Sequence, residues 1–77
     1  MKANGTKQHF VVCVKNEGYD ASLEPRKIYA ALPDAKAAKH QLICVVDESG
    51  EDYLFPADYF LPVALAKPVQ KALAVAA

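Results

Sequence analysis

The chain has no tryptophan, one methionine, three glycines and two cysteines in 77 residues. Two thiols allow at most one internal disulfide, so a disulfide-stapled miniprotein is excluded. Gly5, Gly18 and Gly50 are too scattered for a phosphate-cradling loop. Neither charge sign is in excess, with nine Lys plus Arg against nine Asp plus Glu. That balance argues against a chain whose main work is gripping nucleic acid or an anionic membrane, which usually needs a basic surplus. No apolar run approaches the ~20 residues of a membrane span. The opening residues 1–8 lack the apolar stretch of a secretory signal. A cytoplasmic location with reduced thiols is the expectation, and buried cysteine then serves as a small hydrophobe.

What is present is a set of short β-branched runs. A chain of this size buries only about 60% of its unfolded surface, which leaves room for one small core. His9-Phe10-Val11-Val12-Cys13-Val14-Lys15 places Phe10, Val12 and Val14 on one face and Val11 and Cys13 on the other. Both faces are apolar, as in a strand covered on both sides or at a subunit contact. Residues 16–25 form a loop with turn residues and acids, longer than a tight hairpin needs. A second strand is expected over 26–32, ended by Pro33, which lacks the ladder donor. Asp34 can cap a turn of helix over 35–39. Leu42 to Asp47, a Gly50-centred turn and Tyr53 to Phe55 read as a hairpin. Residues 56–60 suit one 3₁₀ turn, and 61–64 a last edge strand that tolerates Pro62. Beyond Leu65, Pro68 fits a helix start, and Leu65, Val69 and Leu73 share one helical face. The chain thus divides into a flexible polar tail over 1–8, a β domain over 9–64 and a C-terminal helix or tail over 65–77.

The order strand, long acidic loop, strand, short connector, hairpin, one-turn helix, short strand resembles the SH3 domain. Two stretches within residues 22–64 carry the resemblance. Ser22-Leu23-Glu24-Pro25-Arg26-Lys27-Ile28-Tyr29-Ala30-Ala31-Leu32 is similar to the segment that ends the family's long loop and enters its second strand. Tyr53-Leu54-Phe55-Pro56-Ala57-Asp58-Tyr59-Phe60 is similar to the stretch where a Phe-Pro pair precedes a 3₁₀ turn ending in tyrosine. The resemblance implies a mostly β, SH3-like five-stranded barrel with a short C-terminal helix. It implies that Pro56 and Tyr59 line a polyproline groove, with Tyr19 from the long loop. Glu17, Asp20 and Glu24 would then stand where family members pair with a basic ligand residue. Two family features are missing. The first-strand Ala-Leu-Tyr-Asp-Tyr run is replaced by Phe10-Val11-Val12-Cys13-Val14, and the groove tryptophan is absent, which removes a main stacking face. The whole chain is also similar to short, uncharacterised bacterial proteins with an Asp-Glu-Ser-Gly-Glu-Asp-Tyr turn, a likeness that implies no activity.

Other constellations carry less. His9 and Cys13, like His40 and Cys44, are four apart, but four residues of strand span about 13 Å, so a zinc site needs Cys13 and Cys44 paired across strands. Asp47, Glu48, Glu51 and Asp52 crowd the hairpin turn, where a solvated surface would leave their carboxylates ordinary. Ser22, Ser49, Cys13 and Cys44 lack a specific context for nucleophilic chemistry with His9 or His40. No enzyme activity, metal or cofactor is expected. Tyr29 and Tyr53 are expected in or half in the core, whereas Tyr19 and Tyr59 suit packing and binding equally. The function expected is a binding module for a protein or peptide, with Tyr19, Pro56, Tyr59, Glu17 and Asp20 as the ligand site. The alternatives are a small nucleic-acid-associated protein using Arg26, Lys27, Lys36, Lys39 and His40, and a structural homo-oligomer, with Val69 and Leu73 as a candidate contact unless the helix covers its own domain.

Overall fold

A computed structural model describes residues 9–73; the expected N-terminal tail, 1–8, lies outside them. The architecture is mostly β. Five strands, β1 (His9–Cys13), β2 (Ile28–Leu32), β3 (Leu42–Val46), β4 (Asp52–Pro56) and β5 (Phe60–Val63), form one antiparallel sheet in the order β4-β3-β2-β1-β5. Helix α1 (Ala35–Lys39) joins β2 to β3, a 3₁₀ turn (Ala57–Tyr59) joins β4 to β5, and α2 (Lys67–Leu73) follows β5. No ladder connects β4 to β5, so the sheet is not closed as a barrel among the described residues.

Local chemistry explains these boundaries. Pro33 follows the last residue of β2, and the Asp34 carboxylate accepts from the Ala37 N–H at 2.9 Å, capping α1. Gly50 takes φ +85° in the β3–β4 turn, a conformation that favours glycine. The β1–β2 connection is tied at its base. The Cys13 N–H donates to the Lys27 carbonyl at 2.9 Å, and the Cys13 carbonyl accepts from the Arg26 N–H at 2.6 Å. Two residues thus face one, the count of a β-bulge, with Arg26 in the left-handed region at φ 71°.

The register decides which residues meet. Val11 lies opposite Tyr29, Ala31 opposite Val45, Ile43 opposite Phe55, and Cys13 opposite Phe60. These residues share one face and, joined by Leu23 from the long loop, make the core. The opposite face is apolar as well, with Phe10 opposite Ala30 and both buried. Two-sided burial of β1 follows from Phe10 on one face and Val11 and Cys13 on the other. Tyr29 is in the core as expected, but Tyr53 is 50% exposed, because β4 is an edge strand and its start projects past the core. Every residue of α2 is exposed, so its apolar stripe of Val69 and Leu73 does not cover the sheet. No described helix is long and apolar enough to cross a membrane.

Candidate functional site

The loop between β1 and β2 wraps back onto the start of β5. The Tyr19 N–H donates to the Asn16 carbonyl at 2.8 Å, while the Ser22 and Leu23 N–H groups donate to the Tyr19 carbonyl, each at 2.9 Å. The Asn16 side chain donates to the Leu23 carbonyl at 3.1 Å, and Leu23 is driven into the core. This internal bonding gives a long loop a fixed shape, which places Tyr19 on a set neighbour.

That neighbour is Tyr59. The two rings meet edge to face with centroids 6.0 Å apart at 77°. Tyr19 also meets Phe55 edge to face at 5.2 Å, and Phe55 meets Phe60 at 6.1 Å, which meets Tyr29 at 6.4 Å. A line of aromatic rings therefore runs from half-exposed Tyr19 and Tyr59 to the buried centre. Each such contact contributes about 0.5–1.5 kcal/mol beyond area burial. The Tyr59 hydroxyl donates to the Glu17 carbonyl at 2.9 Å, and the Val14 N–H donates to the Tyr59 carbonyl at 2.8 Å. The ring is held from both ends across a separation of about 40 residues.

Charge gathers beside it. Glu17 and Asp20 are exposed on the loop. Lys15 Nζ stands 5.6 Å from the Tyr59 ring centroid and 3.9 Å from a Glu17 carboxylate oxygen. An exposed ion pair of this length contributes little to stability. Its position is the useful fact, because it puts a cation over a ring face that is rich in π density. Pro56 stands apart from this group. It lines a shallow hollow of about 550 Å³ with His40, Gln41, Ala57 and Asp58. Of the five residues expected at a ligand site, Tyr19, Tyr59 and Glu17 are brought into contact, Asp20 is exposed next to Tyr19 on the loop, and Pro56 lines a separate hollow.

A second cluster escapes sequence reading. The Tyr29 hydroxyl accepts from the Glu24 N–H at 2.8 Å and donates to the Glu48 carboxylate at 2.6 Å. Lys27 Nζ donates to the same carboxylate at 2.6 and 2.8 Å, and the Glu48 N–H donates to the Ser22 carbonyl at 3.1 Å. The Lys27 and Tyr29 hydrogen bonds hold Glu48 below the usual carboxylate range. Burial, and then the bond to Glu48, pushes the Tyr29 phenol up. The only sequence signal is that Lys27 and Tyr29, two apart on a strand, share a face.

The acidic turn is not uniformly solvated. Asp47 is only 8% exposed, because its carboxylate accepts from the Ser49 N–H at 2.8 Å and the Ser49 hydroxyl at 2.5 Å, closing the turn on itself. Cys13 and Cys44 are both free and buried. They sit on different faces and, with β2 between them, about 16 Å apart along the strand direction, too far to share a metal. Among the described residues no three His, Cys, Asp or Glu side chains gather to hold a metal ion. The Cys44 thiol lies 3.5 Å from Asp52, and burial first, then that carboxylate, pushes its pKa up to about 11. That is opposite to the activation a nucleophilic thiol needs. Among the described residues neither imidazole hydrogen-bonds to Ser22, Ser49, Cys13 or Cys44. Of the basic set, Lys27 is held by Glu48, while Lys36 and Lys39 are exposed on α1. No protein-family model, curated protein or solved structure matches the chain.

Proposed function

We propose that the chain is an SH3-like binding module without enzymatic activity, taking a basic or proline-containing peptide on the Tyr19–Tyr59 patch. Several features support the SH3-like reading. The sheet order is β4-β3-β2-β1-β5, the β1–β2 loop is long and folded back, and a 3₁₀ turn separates β4 from β5. The observation that carries the function is the ring pair. Two tyrosines from distant parts of the chain meet at 6.0 Å on the surface, each ring fixed and each still partly open to solvent. Tyrosine gives contact area at a low entropic cost, with a polar tip for a peptide backbone. Glu17 and Asp20 give the patch its sign, and Lys15 over Tyr59 marks a face that accepts a cation. Pro56 lines a separate hollow with His40, Gln41, Ala57 and Asp58 and does not stack with the rings. Without a tryptophan face, affinity should be modest.

The test is the Tyr59→Ala protein beside the unaltered chain, titrated with arginine-containing proline-rich peptides. Loss of the ring should weaken binding by tenfold or more, about 1.4 kcal/mol, in a protein whose spectrum remains that of a folded domain. Unchanged affinity in a folded Tyr59→Ala protein would remove the assignment.

A further inference from the structure

The two edges of the sheet are not equivalent. Antiparallel ladders alternate between bonded and non-bonded pairs, so the phase of each edge strand follows from a bond at its end. On the β4 side the Asp47 N–H donates to the Glu51 carbonyl and the Ala57 N–H to the Gln41 carbonyl, both at 3.0 Å. With Val45 opposite Tyr53 and Ile43 opposite Phe55, those two pairs are bonded inward. Asp52, Leu54 and Pro56 therefore turn their backbone groups outward. On the β5 side the Val14 N–H donates to Tyr59, so Leu61 and Val63 bond inward to Val12 and Phe10, and Phe60 and Pro62 face out. The Phe60 N–H is taken by the Ala57 carbonyl, and Pro62 has none. Edge β5 is thus blunted, as edges usually are. Edge β4 keeps the outward N–H and carbonyl of Leu54 and the outward N–H of Asp52. It also keeps two large apolar side chains in water on opposite faces, Tyr53 at 50% and Leu54 at 47% exposure.

We infer that β4 is a self-association edge, at which a second copy of this chain adds its own β4 antiparallel about a two-fold axis through Leu54. The occupant follows from self-complementarity. Each Leu54 N–H donates to the other Leu54 carbonyl, and each Asp52 N–H to the Pro56 carbonyl of the second copy. Pro56 supplies no N–H, so each outward Asp52 carbonyl is left to solvent at the end of the ladder, which keeps the association weak. Asp52 meets Pro56 and not another carboxylate, so no like charges stand opposite one another. Leu54 packs on Leu54, and Tyr53 lies beside Phe55 of the second copy. A formal net charge of zero leaves no long-range repulsion between copies. Two five-residue strands make a small interface, below ~1,200 Å², so the dimer is weak and depends on concentration. This inference is independent of the Tyr19–Tyr59 patch.

The test is cysteine crosslinking of the full chain. In a bonded antiparallel pair the two Cα atoms at the axis lie about 5.5 Å apart, within disulfide reach. Under oxidised glutathione, Leu54→Cys should become a covalent dimer at least tenfold faster than Leu61→Cys, which is as exposed but lies on the blunted edge. Cys44 faces position 54 across the β3–β4 ladder in the close non-bonded pair, so both variants also carry Cys44→Ala to prevent an internal disulfide, and Cys13 is buried on the other face. Sedimentation gives the second readout. Leu54→Lys and Leu54→Glu should each be monomeric at concentrations where the unaltered chain dimerises, and their mixture should recover the dimer. Equal crosslinking of the two cysteine variants, or a strictly monomeric unaltered chain near millimolar concentration, overturns the assignment.

Discussion

Replacing Tyr29 by phenylalanine removes one oxygen that accepts from the Glu24 N–H and donates to Glu48. The aromatic packing stays, while a backbone donor and a carboxylate each lose a partner. The expected loss is about 1–3 kcal/mol, read as a lower urea midpoint with an unchanged slope. The two ends of the pH scale are controlled by different residues. Glu48 has a depressed pKa in the folded chain, so it binds protons less readily than when unfolded. Its stabilisation is present above the ordinary glutamate value of 4.5 and is lost as pH falls from there through the folded value. Glu48→Gln should flatten that acid limb in unfolding experiments. Cys44 has the opposite sign. Its raised pKa means that the folded chain holds the thiol proton more tightly, so the contribution is complete below pH 9.0 and is lost as pH rises through about 11. Cys44→Ala should remove the part of the alkaline slope that lies in this window. Much at this scale is invisible in the sequence. Tyr29 and Glu48 are 19 residues apart, and nothing local says that a turn carboxylate will fold back onto a strand phenol. Asp47 looked like one more solvated acid because a short Asx bond to Ser49 has no compositional trace.

Elements were far more legible than side-chain partners. Short runs of Val, Ile, Phe and Tyr fix strands by periodicity, Pro33 marks where β2 ends, and Asp34 supplies the cap that α1 uses. Asp34→Ala should cost about 1 kcal/mol, seen as earlier thermal unfolding. Gly50→Ala should cost a similar ~1 kcal/mol. No atom stands within 4 Å of the added methyl, so backbone strain at φ +85° is its sole cause. Helix α2 is where pattern and packing part. Leu65, Val69 and Leu73 are spaced as on an amphipathic helix, yet Leu65 lies before α2 and is half-buried, while Val69 and Leu73 on the helix remain exposed. Spacing gives the face but not what meets it. Val69→Ser with Leu73→Ser should therefore shift the midpoint by less than about 0.5 kcal/mol in equivalent stability. A loss of several kcal/mol would mean that the stripe is packed.

At the scale of the molecule, both proposals rest on one sheet. Its core face carries the ring series from Tyr29 through Phe60 and Phe55 to Tyr19 and Tyr59, so the surface patch inherits the rigidity of the core. Its β4 edge is left open while its β5 edge is closed by Pro62 and the 3₁₀ turn. Strand order was not legible in the sequence, because nothing in the apolar runs says that β5 pairs with β1, and the separation of Pro56 from the tyrosines likewise depends on tertiary placement. Peptide binding on the tyrosine patch is the central functional claim. Its most direct test is an amide NMR titration of the labelled full chain, with an arginine-containing proline-rich peptide in one series and a short DNA duplex in another. Shifts with peptide gathered at Tyr19, Asp20, Glu17 and Tyr59, and none with DNA, are the predicted result. Shifts with DNA at Arg26, Lys36 and Lys39, or no peptide shifts at these loop and turn residues, would contradict it.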